Sequence, residues 1–397
     1  MTRDRGDGPD PWPAACILSG PSAATLLDRA ARTIGARRVS SELHRLHHRP
    51  HRSVTRVDTA IVDTPAGFRE ALLVVHAHRA GLPHDAETVE VDGVQVAVWA
   101  YPHDPYLPGL PDASAPDRVA QRLAAVGLEA VAVTLHRRAY RATRGAVIEV
   151  HVTSRRGVPR SVFLKVLRTG RADRLAAVHR HLGLHLPVAP LLGSDPGVLV
   201  LGGLPGVPVR RLLRQGGSLP DPDRLVALSE RLAPIAVDSG RRPDLRADPA
   251  RHVAGLRADR PELRAEIDVL VAACREVGGP RGTVHGDLHG GQLLTADGEV
   301  TGLLDLDDVG PGRLVHDAAN LIAYLEAQGD RTPAAADRAR RYADEVARAY
   351  GGWFAPASLA RATAARWLAL AAVAHRSGDG PLVRRRIDRA GDLLDGT

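Results

Sequence analysis

The chain has 397 residues, of which 44% are hydrophobic and 25% are charged. This balance is typical of a folded protein with two or three domains, and it excludes wholesale disorder and a small disulfide-stapled fold. The two cysteines lie far apart, no apolar stretch is long enough to cross a bilayer, and the first residues do not resemble a secretory leader. We therefore expect a cytoplasmic protein without a membrane partner.

The formal net charge of +7 raises the question of a nucleic-acid partner. Acidic and basic residues are interspersed, however, and only 4 Trp, 6 Tyr and 3 Phe are available to stack on bases. We expect no nucleic-acid partner. Lys165 is the only lysine among 53 basic residues. It is either a surface lysine without function or a residue placed where a compact ammonium group is needed.

Residues 1–15 are rich in Gly, Pro and charge, and we predict that they form a flexible tail. Residues 16–127 contain short apolar segments of β character and a helical pattern, which predict a smaller α+β cap region. Several prolines predict an irregular loop over 101–109. Together with Trp99, this loop either packs at a domain seam or lines a ligand site.

Two local predictions concern the cap region. Ser114 is predicted to cap a helix that carries Val119, Leu123 and Val126 on one face and stops at Gly127. Four histidines with interleaved arginines favour a solvated basic helix over a metal site, namely His44, His47, His48 and His51.

Residues 128–203 are predicted to form a small β-rich lobe, and residues 204–397 a mostly helical lobe. In the first of these, the apolar pattern predicts three strands, a helix and one further strand, over 131–135, 146–152, 161–167, 171–182 and 198–201. The sequence therefore predicts an α+β protein of two unlike lobes that follow the cap region.

The block over residues 283–308 carries the residues best suited to chemistry. It reads His285-Gly-Asp287-Leu-His289 near its start and Leu304-Asp305 near its end, and Asp297-Gly298 between them predicts a hairpin turn. Carboxylates on apolar strands are costly unless a cation lies nearby. Two of them that a hairpin brings together predict a divalent-metal site, and oxygen ligands without clustered Cys or His favour Mg²⁺.

This block resembles the aminoglycoside phosphotransferase superfamily of small-molecule kinases, including its maltokinase branch. Gln292 supplies an amide five residues after Asp287, and Asp305 follows Asp287 by eighteen (305 − 287). The strand lysine Lys165 and the pair His316-Asp317 also match. The resemblance covers about residues 130–397. It implies a protein-kinase-like two-lobe fold and ATP-dependent transfer of a phosphate to a hydroxyl of a small molecule.

The resemblance also implies individual roles. Asp287 is expected to orient the acceptor hydroxyl and take its proton. The other matching residues are expected to bind ATP phosphates, hold Mg²⁺ or support the catalytic loop: Lys165, Arg144 and Gly145 for the phosphates, Asp305 and Gln292 for the metal, and His285, Asp317 and Asp307 for support. Asp307 is alternatively a solvated loop acid.

Three features depart from the family pattern. The metal amide is Gln292, where most of the superfamily has Asn. The helix over 171–182 offers Asp173 but no Glu to pair with Lys165, and the turn over 141–145 has no GxGxxG motif. These departures leave an alternative from another class, a kinase-fold protein that binds a nucleotide or ligand without turnover.

The charge of the C-terminal helices indicates the class of acceptor. Residues 321–397 contain 12 arginines and 9 acidic residues, a net charge of +3. Because aminoglycosides are polycations, this balance favours a neutral or anionic acceptor over an aminoglycoside, and a sugar or another polyol fits best.

Overall fold

The computed structural model describes residues 12–49, 51–153, 160–275, 277–330 and 332–396. The chain divides into two units. The first contains the described residues up to Asp173 together with Leu191–Gly202, and the second contains Arg174–Pro190 and the described residues from Gly203 onward. The boundaries predicted for the tail, cap region and lobes stay predictions. Residues 1–11 of the predicted tail lie outside the described residues, and a helix already begins at Ala14.

The first unit begins with two helices and five strands: α1 (Ala14–Ser19), α2 (Ser22–Arg32), β1 (Arg37–Arg49), β2 (Ser53–Thr64), β3 (Gly67–His78), β4 (Thr88–Val91) and β5 (Val94–Ala100). The strands form one antiparallel sheet in the order β1-β2-β3-β5-β4. Alternate strand residues such as Leu73, Val75 and Val96 pack against Leu26 and Leu27 of α2. This buried face explains the β character of the cap region, since one side of each central strand is apolar.

The histidine-rich segment is a strand, and the prediction of a basic helix was wrong. β1 pairs with β2 along its whole length, from Arg37 opposite Asp63 to Arg49 opposite Ser53. His44, His47 and His48 are exposed on this edge strand. His51 lies in the turn that follows, with φ 57°. The i,i+4 spacing of the histidines suggested a helix, but pairing with a distant strand overrides such a local preference.

The second part of the unit contains two short helices, a five-stranded sheet and a helix: α3 (Leu110–Ala113), α4 (Pro116–Ala125), β6 (Ala132–Arg141), β7 (Gly145–Thr153), β8 (Arg160–Leu167), α5 (Thr169–Leu182), β9 (Leu191–Asp195) and β10 (Val198–Gly202). The sheet order is β6-β7-β8-β10-β9, with antiparallel pairing throughout. The predicted three strands, helix and strand over 198–201 are confirmed, and β9 is an additional strand that the sequence did not predict. The boundary between the two units falls within α5.

Ser114 does not cap α4, so this prediction was wrong. The N-cap residue is Ala115, without a side-chain cap, and Pro116 occupies the first turn. A proline there supplies the φ angle that a helix start requires, so no capping hydroxyl is needed. Ser114 Oγ instead lies 2.9 Å from the Tyr101 hydroxyl. On the predicted face, Val119 and Leu123 are buried and Val126 is half-buried.

The loop over residues 101–109 is irregular and packs within the first unit. Trp99, which is 2% exposed, belongs to a small core that Tyr101, Tyr106 and Tyr140 contact. The Trp99 indole N–H donates a hydrogen bond to Tyr140 Oη at 3.0 Å. These contacts join the first sheet to β6, which supports the interpretation as a packed loop.

The second unit is mostly helical. Its elements after α5 are β11 (Val207–Pro208), α6 (Val209–Gln215), α7 (Pro222–Leu232), α8 (Asp244–Ala247), α9 (Pro249–Asp259), α10 (Arg264–Ala273), β12 (Arg281–Val284), β13 (Leu293–Ala296), β14 (Glu299–Leu303), β15 (Gly310–Arg313), α11 (Leu314–Glu326), α12 (Ala336–Tyr350), α13 (Pro356–Arg376) and α14 (Gly380–Asp395). Its helical core includes Trp367 and Leu368 of α13 and Ile387 of α14. The strand-rich and helical parts confirm the predicted α+β, protein-kinase-like class. In the part of the chain that the structure describes, no helix combines the length and apolarity needed to cross a membrane.

Candidate active site

The β-hairpin of β13 and β14 brings the segment that precedes it, with Gln292, beside the segment that follows it, with Asp305. β13 and β14 pair antiparallel, and Asp297 and Gly298 form the turn with φ angles of 52° and 79°. Positive φ at both central residues is the requirement of a tight hairpin turn, which Asp-Gly meets at little cost. At the open end, the Leu304 N–H donates to the Gln292 carbonyl at 2.8 Å. The backbone of Gln292 therefore lies one residue from Asp305.

His285 connects the segment of Asp287 to that of Asp305. Its side chain is fully buried, and its Nε2 lies 2.8 Å from the Leu304 carbonyl oxygen. The Asp287 N–H donates to its Nδ1 at 3.3 Å. A carbonyl can only accept and an amide N–H can only donate, so the imidazole carries its proton on Nε2. The ring therefore bridges the backbone of the segment that carries Asp287 and the backbone of the segment that carries Asp305.

Asp317, the first-turn acid of α11, fixes the start of the same loop. Its carboxylate accepts hydrogen bonds from the backbone N–H groups of His285 and Gly286, the latter at 2.9 Å. Burial raises the pKa of Asp317, while the nearby His285 and the two N–H donors act to lower it. One turn along α11, Asn320 donates to the Leu288 carbonyl at 2.7 Å. Two side chains on one helix face therefore hold the loop over residues 285–288.

The backbone around the two carboxylates is unusual at two positions. Gly286 has φ 80°, and a Cβ atom there would lie 2.6 Å from the Asp308 carbonyl oxygen. Asp305 adopts the left-handed region with φ 56° and ψ 64°, directly before the 3₁₀ turn Leu306–Asp308. Aspartate tolerates this region better than most residues do. Strained backbone that its surroundings hold in place is frequent at functional sites.

The carboxylate of Asp287 is half-buried, and no hydrogen bond joins it to any residue that the structure describes. His289, two residues on, stacks on Tyr324 with ring centroids 5.1 Å apart. Burial lowers the pKa of His289, an effect that the Asp287 charge opposes. Beside an uncharged imidazole, the Asp287 oxygens are available to accept a hydrogen bond from a bound hydroxyl.

The ends of the hairpin carry oxygen donors of the kind that hard divalent cations prefer, although no group of three or more His, Cys, Asp or Glu side chains in the described ranges is arranged to hold a metal ion. Asp305 is exposed and offers a carboxylate, and Gln292 offers a side-chain amide within the same pair of strand ends. Oxygen donors of this kind suit Mg²⁺. Asp307 and Asp308 follow in the 3₁₀ turn and are half-buried. Arg241 lies against both, since its Nε donates to the Asp307 carbonyl at 3.0 Å and lies 3.8 Å from Asp308 Oδ1.

The remaining predicted site residues lie in the first unit. Lys165 is half-buried on β8, paired with Val147 on one side and Leu199 on the other. Arg144 and Gly145 end the turn between β6 and β7, where Arg144 is exposed. A Cβ atom on Gly145 would lie 2.8 Å from the Val166 carbonyl oxygen, so only glycine fits there without displacement.

Sequence reasoning missed Asp104, which anchors this turn. Asp104 is 2% exposed and accepts hydrogen bonds from the Thr143 N–H at 2.7 Å, the Tyr140 hydroxyl at 2.9 Å and the Tyr106 N–H at 2.9 Å. Burial raises the pKa of Asp104, against the effect of these donors. From the other side, Arg168 Nε donates to the Thr143 carbonyl at 3.0 Å. The sequence signal that could have found it is an acidic residue within a loop of prolines and tyrosines. A carboxylate that such a loop buries needs hydrogen-bond donors around it.

The antiparallel β6–β10 sheet, the helical unit and the clamped Asp287 loop with its hairpin together define a small-molecule kinase of the protein-kinase-like class. The sequence profile of the Phosphotransferase enzyme family matches residues 63–362, well over half of the chain. The chain belongs to this family, which confirms the resemblance inferred from the motifs, and it is a small-molecule phosphotransferase.

Several solved structures are similar to this chain. A thermostable mutant of the aminoglycoside phosphotransferase APH(4)-Ia, in a ternary complex with AMP-PNP and hygromycin B, is 14% identical, with 70% of this chain and 97% of that chain covered and a TM-score of 0.48. The macrolide 2'-phosphotransferase MphH from Brachybacterium faecium is 18% identical over 69% and 98% of the two chains, with a TM-score of 0.43. The amicoumacin kinase hAmiN, in complex with AMP-PNP, Ca²⁺ and Ami, is 16% identical over 67% and 88%, with a TM-score of 0.47. No curated protein sequence matches the chain.

Proposed function

We propose that the protein transfers the γ-phosphate of ATP to a hydroxyl of a small neutral polyol, with Asp287 at the reacting centre. The observation that carries this proposal is the state of Asp287. Its backbone is held by His285, and its half-buried carboxylate has no hydrogen bond to the described residues. Phosphoryl transfer needs alignment and charge neutralisation more than covalent work by the protein. A fixed, available carboxylate meets the first of these needs.

Asp287 accepts a hydrogen bond from the acceptor hydroxyl and takes its proton as the phosphate transfers. The loop must keep its position for this to work, because a misplacement of about 1 Å costs on the order of a hundredfold in rate. Asp317 and His285 provide that restraint through the backbone of residues 285–287. They act as positioning residues.

Asp305 and Gln292 would hold Mg²⁺ through one carboxylate and one amide oxygen. When bound, the ion neutralises negative charge that develops on the transferring phosphate. Asp307, in the turn directly after Asp305, is a supplementary contact to the metal or the substrate. Gln292 is longer than the Asn of most relatives, and its contact with His289, at 3.4 Å between the amide nitrogen and Nε2, restricts the additional torsion.

Three residues of the first unit would bind the phosphates of ATP. Lys165 acts as a point charge on a central strand, and Arg144 adds a second cation. Gly145 lets the β6–β7 turn pack closely against the Val166 carbonyl and so holds Arg144 in place for the phosphates. The Thr143 and Arg144 N–H groups themselves donate to Asp104 and to the Arg141 carbonyl. The anchoring of Thr143 by Asp104 supports this role, since it makes the turn rigid without a GxGxxG motif.

The acceptor is proposed to be a neutral polyol because the C-terminal helices are net basic. Residues 321–397 carry 12 arginines against 9 acids. A polycationic aminoglycoside would be repelled by such a balance, whereas a sugar hydroxyl would not.

Thermal unfolding with and without Mg-ATP tests the nucleotide and metal residues. At about 100 Kd, a ligand adds roughly 2.7 kcal/mol to the free energy of unfolding, which raises Tm by about 5–10 °C for a domain of this size. We expect the shift in the native protein, its loss in Lys165→Ala, and the loss of its Mg²⁺-dependent part in Asp305→Asn. Asp297→Asn, an exposed acid at the turn of the same hairpin, is the matched control and should keep the full shift.

Release of ADP separates a kinase from a binding protein. The proposal predicts that ADP forms from Mg-ATP, faster with neutral polyols than with aminoglycosides, and that Asp287→Asn stops it. A full thermal shift with Mg-ATP would support the non-catalytic alternative if no ADP forms with any acceptor or with water alone. Faster turnover with aminoglycosides than with every neutral polyol would refute the proposed acceptor class.

A further inference from the structure

Cationic side chains gather at one end of the β1–β5 sheet, among residues that the proposed reaction does not use. Arg49 ends β1 and lies opposite Ser53, which in turn lies opposite His78 at the end of β3. Arg52 occupies the turn between β1 and β2, and its carbonyl accepts the Arg79 N–H at 2.9 Å. We call the set Arg49, Arg52 and Arg168 the cationic cluster. His78 lies among them as a neutral imidazole, since its Nδ1 accepts the Ala80 N–H at 3.1 Å.

Arg168 reaches the cationic cluster from the second sheet of the same unit. Its guanidinium carbon lies 4.6 Å from the centroid of the Tyr106 ring. That ring is 5.4 Å from the ring of the buried His76, which is 6.1 Å from His78. A continuous series of contacts therefore joins Arg168 to the end of β3, with Tyr106 and His76 as its wall.

The guanidinium groups of the cationic cluster act on one another as like charges. Burial lowers the pKa of Arg49, and the charges of Arg52 and Arg168 lower it further. The same causes lower the pKa of His78: burial first, then Arg52, Arg168 and Arg49. Like charges that depress one another in this way indicate a site where negative charge would be favourable.

The ion pairs of β1 lie at its other end. At the other end of β1, Arg37 pairs with Asp63 at 3.0 Å and Arg38 with Asp28 at 2.8 Å. Within the described residues, by contrast, no carboxylate forms an ion pair with Arg49, Arg52 or Arg168. Asp104 acts on Arg168 from a distance, but this buried group already accepts three hydrogen bonds.

The donors of the cationic cluster match a tetrahedral dianion. Arg168 uses Nε for the Thr143 carbonyl and Arg49 uses Nε for His47 Nε2 at 3.1 Å. Among the described residues, the terminal nitrogens of both side chains form no hydrogen bond and can serve a ligand. Guanidinium forks fit phosphate oxygens in pairs. A carboxylate, with a single charge, would leave most of the mutual repulsion in place. Arg52 and Arg168 are exposed, so a ligand can reach them from solvent.

We infer that the cationic cluster binds a phosphate group, either as orthophosphate or as a phosphomonoester on a small molecule. The site consists of residues other than those proposed for ATP and the acceptor. One of its residues, Arg168, also donates a hydrogen bond to the Thr143 carbonyl in the β6–β7 turn.

Calorimetric titration of the full chain with orthophosphate and with glycerol 2-phosphate tests the inference. We expect saturable binding that weakens about ten- to hundredfold in the double variant Arg49→Gln/Arg52→Gln, since two charge-assisted contacts are lost. Arg45→Gln, an exposed arginine on the same strand, is the matched control and should bind as the native protein does. Tighter binding of one probe than of the other tells an ester site from an orthophosphate site, and either result supports the inference.

Two results would overturn it. One is unchanged phosphate affinity in the double variant. The other is loss of phosphate binding in Lys165→Ala with full binding in the double variant, which would place the ion at the nucleotide residues. Arg52→Gln alone, at an exposed turn position, serves if the double variant does not fold, and it should weaken binding about tenfold. Failure of ATP turnover would bear on the proposed function and leave this titration unaffected.

Discussion

Gly286 and Gly298 provide a matched pair for testing how the Asp287 loop is held. Both lie in the second unit and share nearly the same backbone angle, with φ 80° and 79°. A Cβ atom on Gly298 meets nothing within 4 Å, whereas one on Gly286 lies 2.6 Å from the Asp308 carbonyl oxygen and 3.2 Å from its carbon. The pair therefore differs in crowding and not in backbone conformation.

Substitution by alanine gives a magnitude for each contribution. The left-handed conformation costs a non-glycine residue about 1–2 kcal/mol, which is the whole expected loss for Gly298→Ala. Gly286→Ala adds the displacement of a backbone carbonyl, about 1–3 kcal/mol by analogy with overpacked cores. The expected loss is then roughly 2–5 kcal/mol in the free energy of unfolding.

Urea denaturation of the two variants measures this difference as a change in midpoint at constant slope. Gly286→Ala should also lose most turnover, because the loop that carries Asp287 must move. Gly298→Ala should retain it. Equal losses of stability in the two variants would refute the argument that contact with the Asp308 backbone fixes the loop.

Three further predictions concern buried polar groups. Asp317→Ala leaves two buried N–H groups without an acceptor and should lower the free energy of unfolding by about 1–3 kcal/mol for each, whereas Asp337→Ala at an exposed site should change it by less than about 0.5 kcal/mol in urea denaturation. Burial lowers the pKa of His316 to about 4. As the pH falls from about 6.5, the unfolded state therefore takes up a proton before the folded state does, and about 3 kcal/mol of the free energy of unfolding is lost by pH 4. His316→Gln should flatten that part of the profile of unfolding free energy against pH. An unchanged slope in this variant would contradict the assignment to His316. Asp104→Ala should destabilise the first unit by at least about 2 kcal/mol and weaken ATP binding in a fluorescence titration. Asp112→Ala, at an exposed position, is the control, and the same effect in this variant would show that the hydrogen bond to Thr143 is not the cause.

The sequence predicted those parts of the fold whose signal is local. Asp297-Gly298 predicts a turn because few residues adopt positive φ, and the structure has that turn. The apolar segments that became β7 and β8 are similarly clear, since buried strands require such runs, whereas most residues of β6 are exposed. The hairpin predicted from that turn was expected to bring the segments of Asp287 and Asp305 together. The bond between Leu304 and Gln292 and the two contacts of His285 show that it does.

Features that depend on distant partners could not be predicted. β1 is a strand because β2 lies beside it, whereas its own His and Arg pattern favours a helix. Asp104 is 39 residues from Thr143, and only the folded unit shows that a loop acid holds the turn. Ser114 has a good capping side chain, but the proline two residues later begins the helix without it.

The central claim is that Asp287 promotes phosphate transfer to a hydroxyl, and ³¹P NMR of the reaction tests it most directly. The native protein and Asp287→Asn are incubated with Mg-ATP and a panel of neutral polyols and aminoglycosides. We predict a new phosphomonoester resonance together with ADP for the native protein, and a rate at least about a hundredfold lower for Asp287→Asn with its Mg-ATP thermal shift retained. Formation of the phosphomonoester by Asp287→Asn at the native rate would contradict the account.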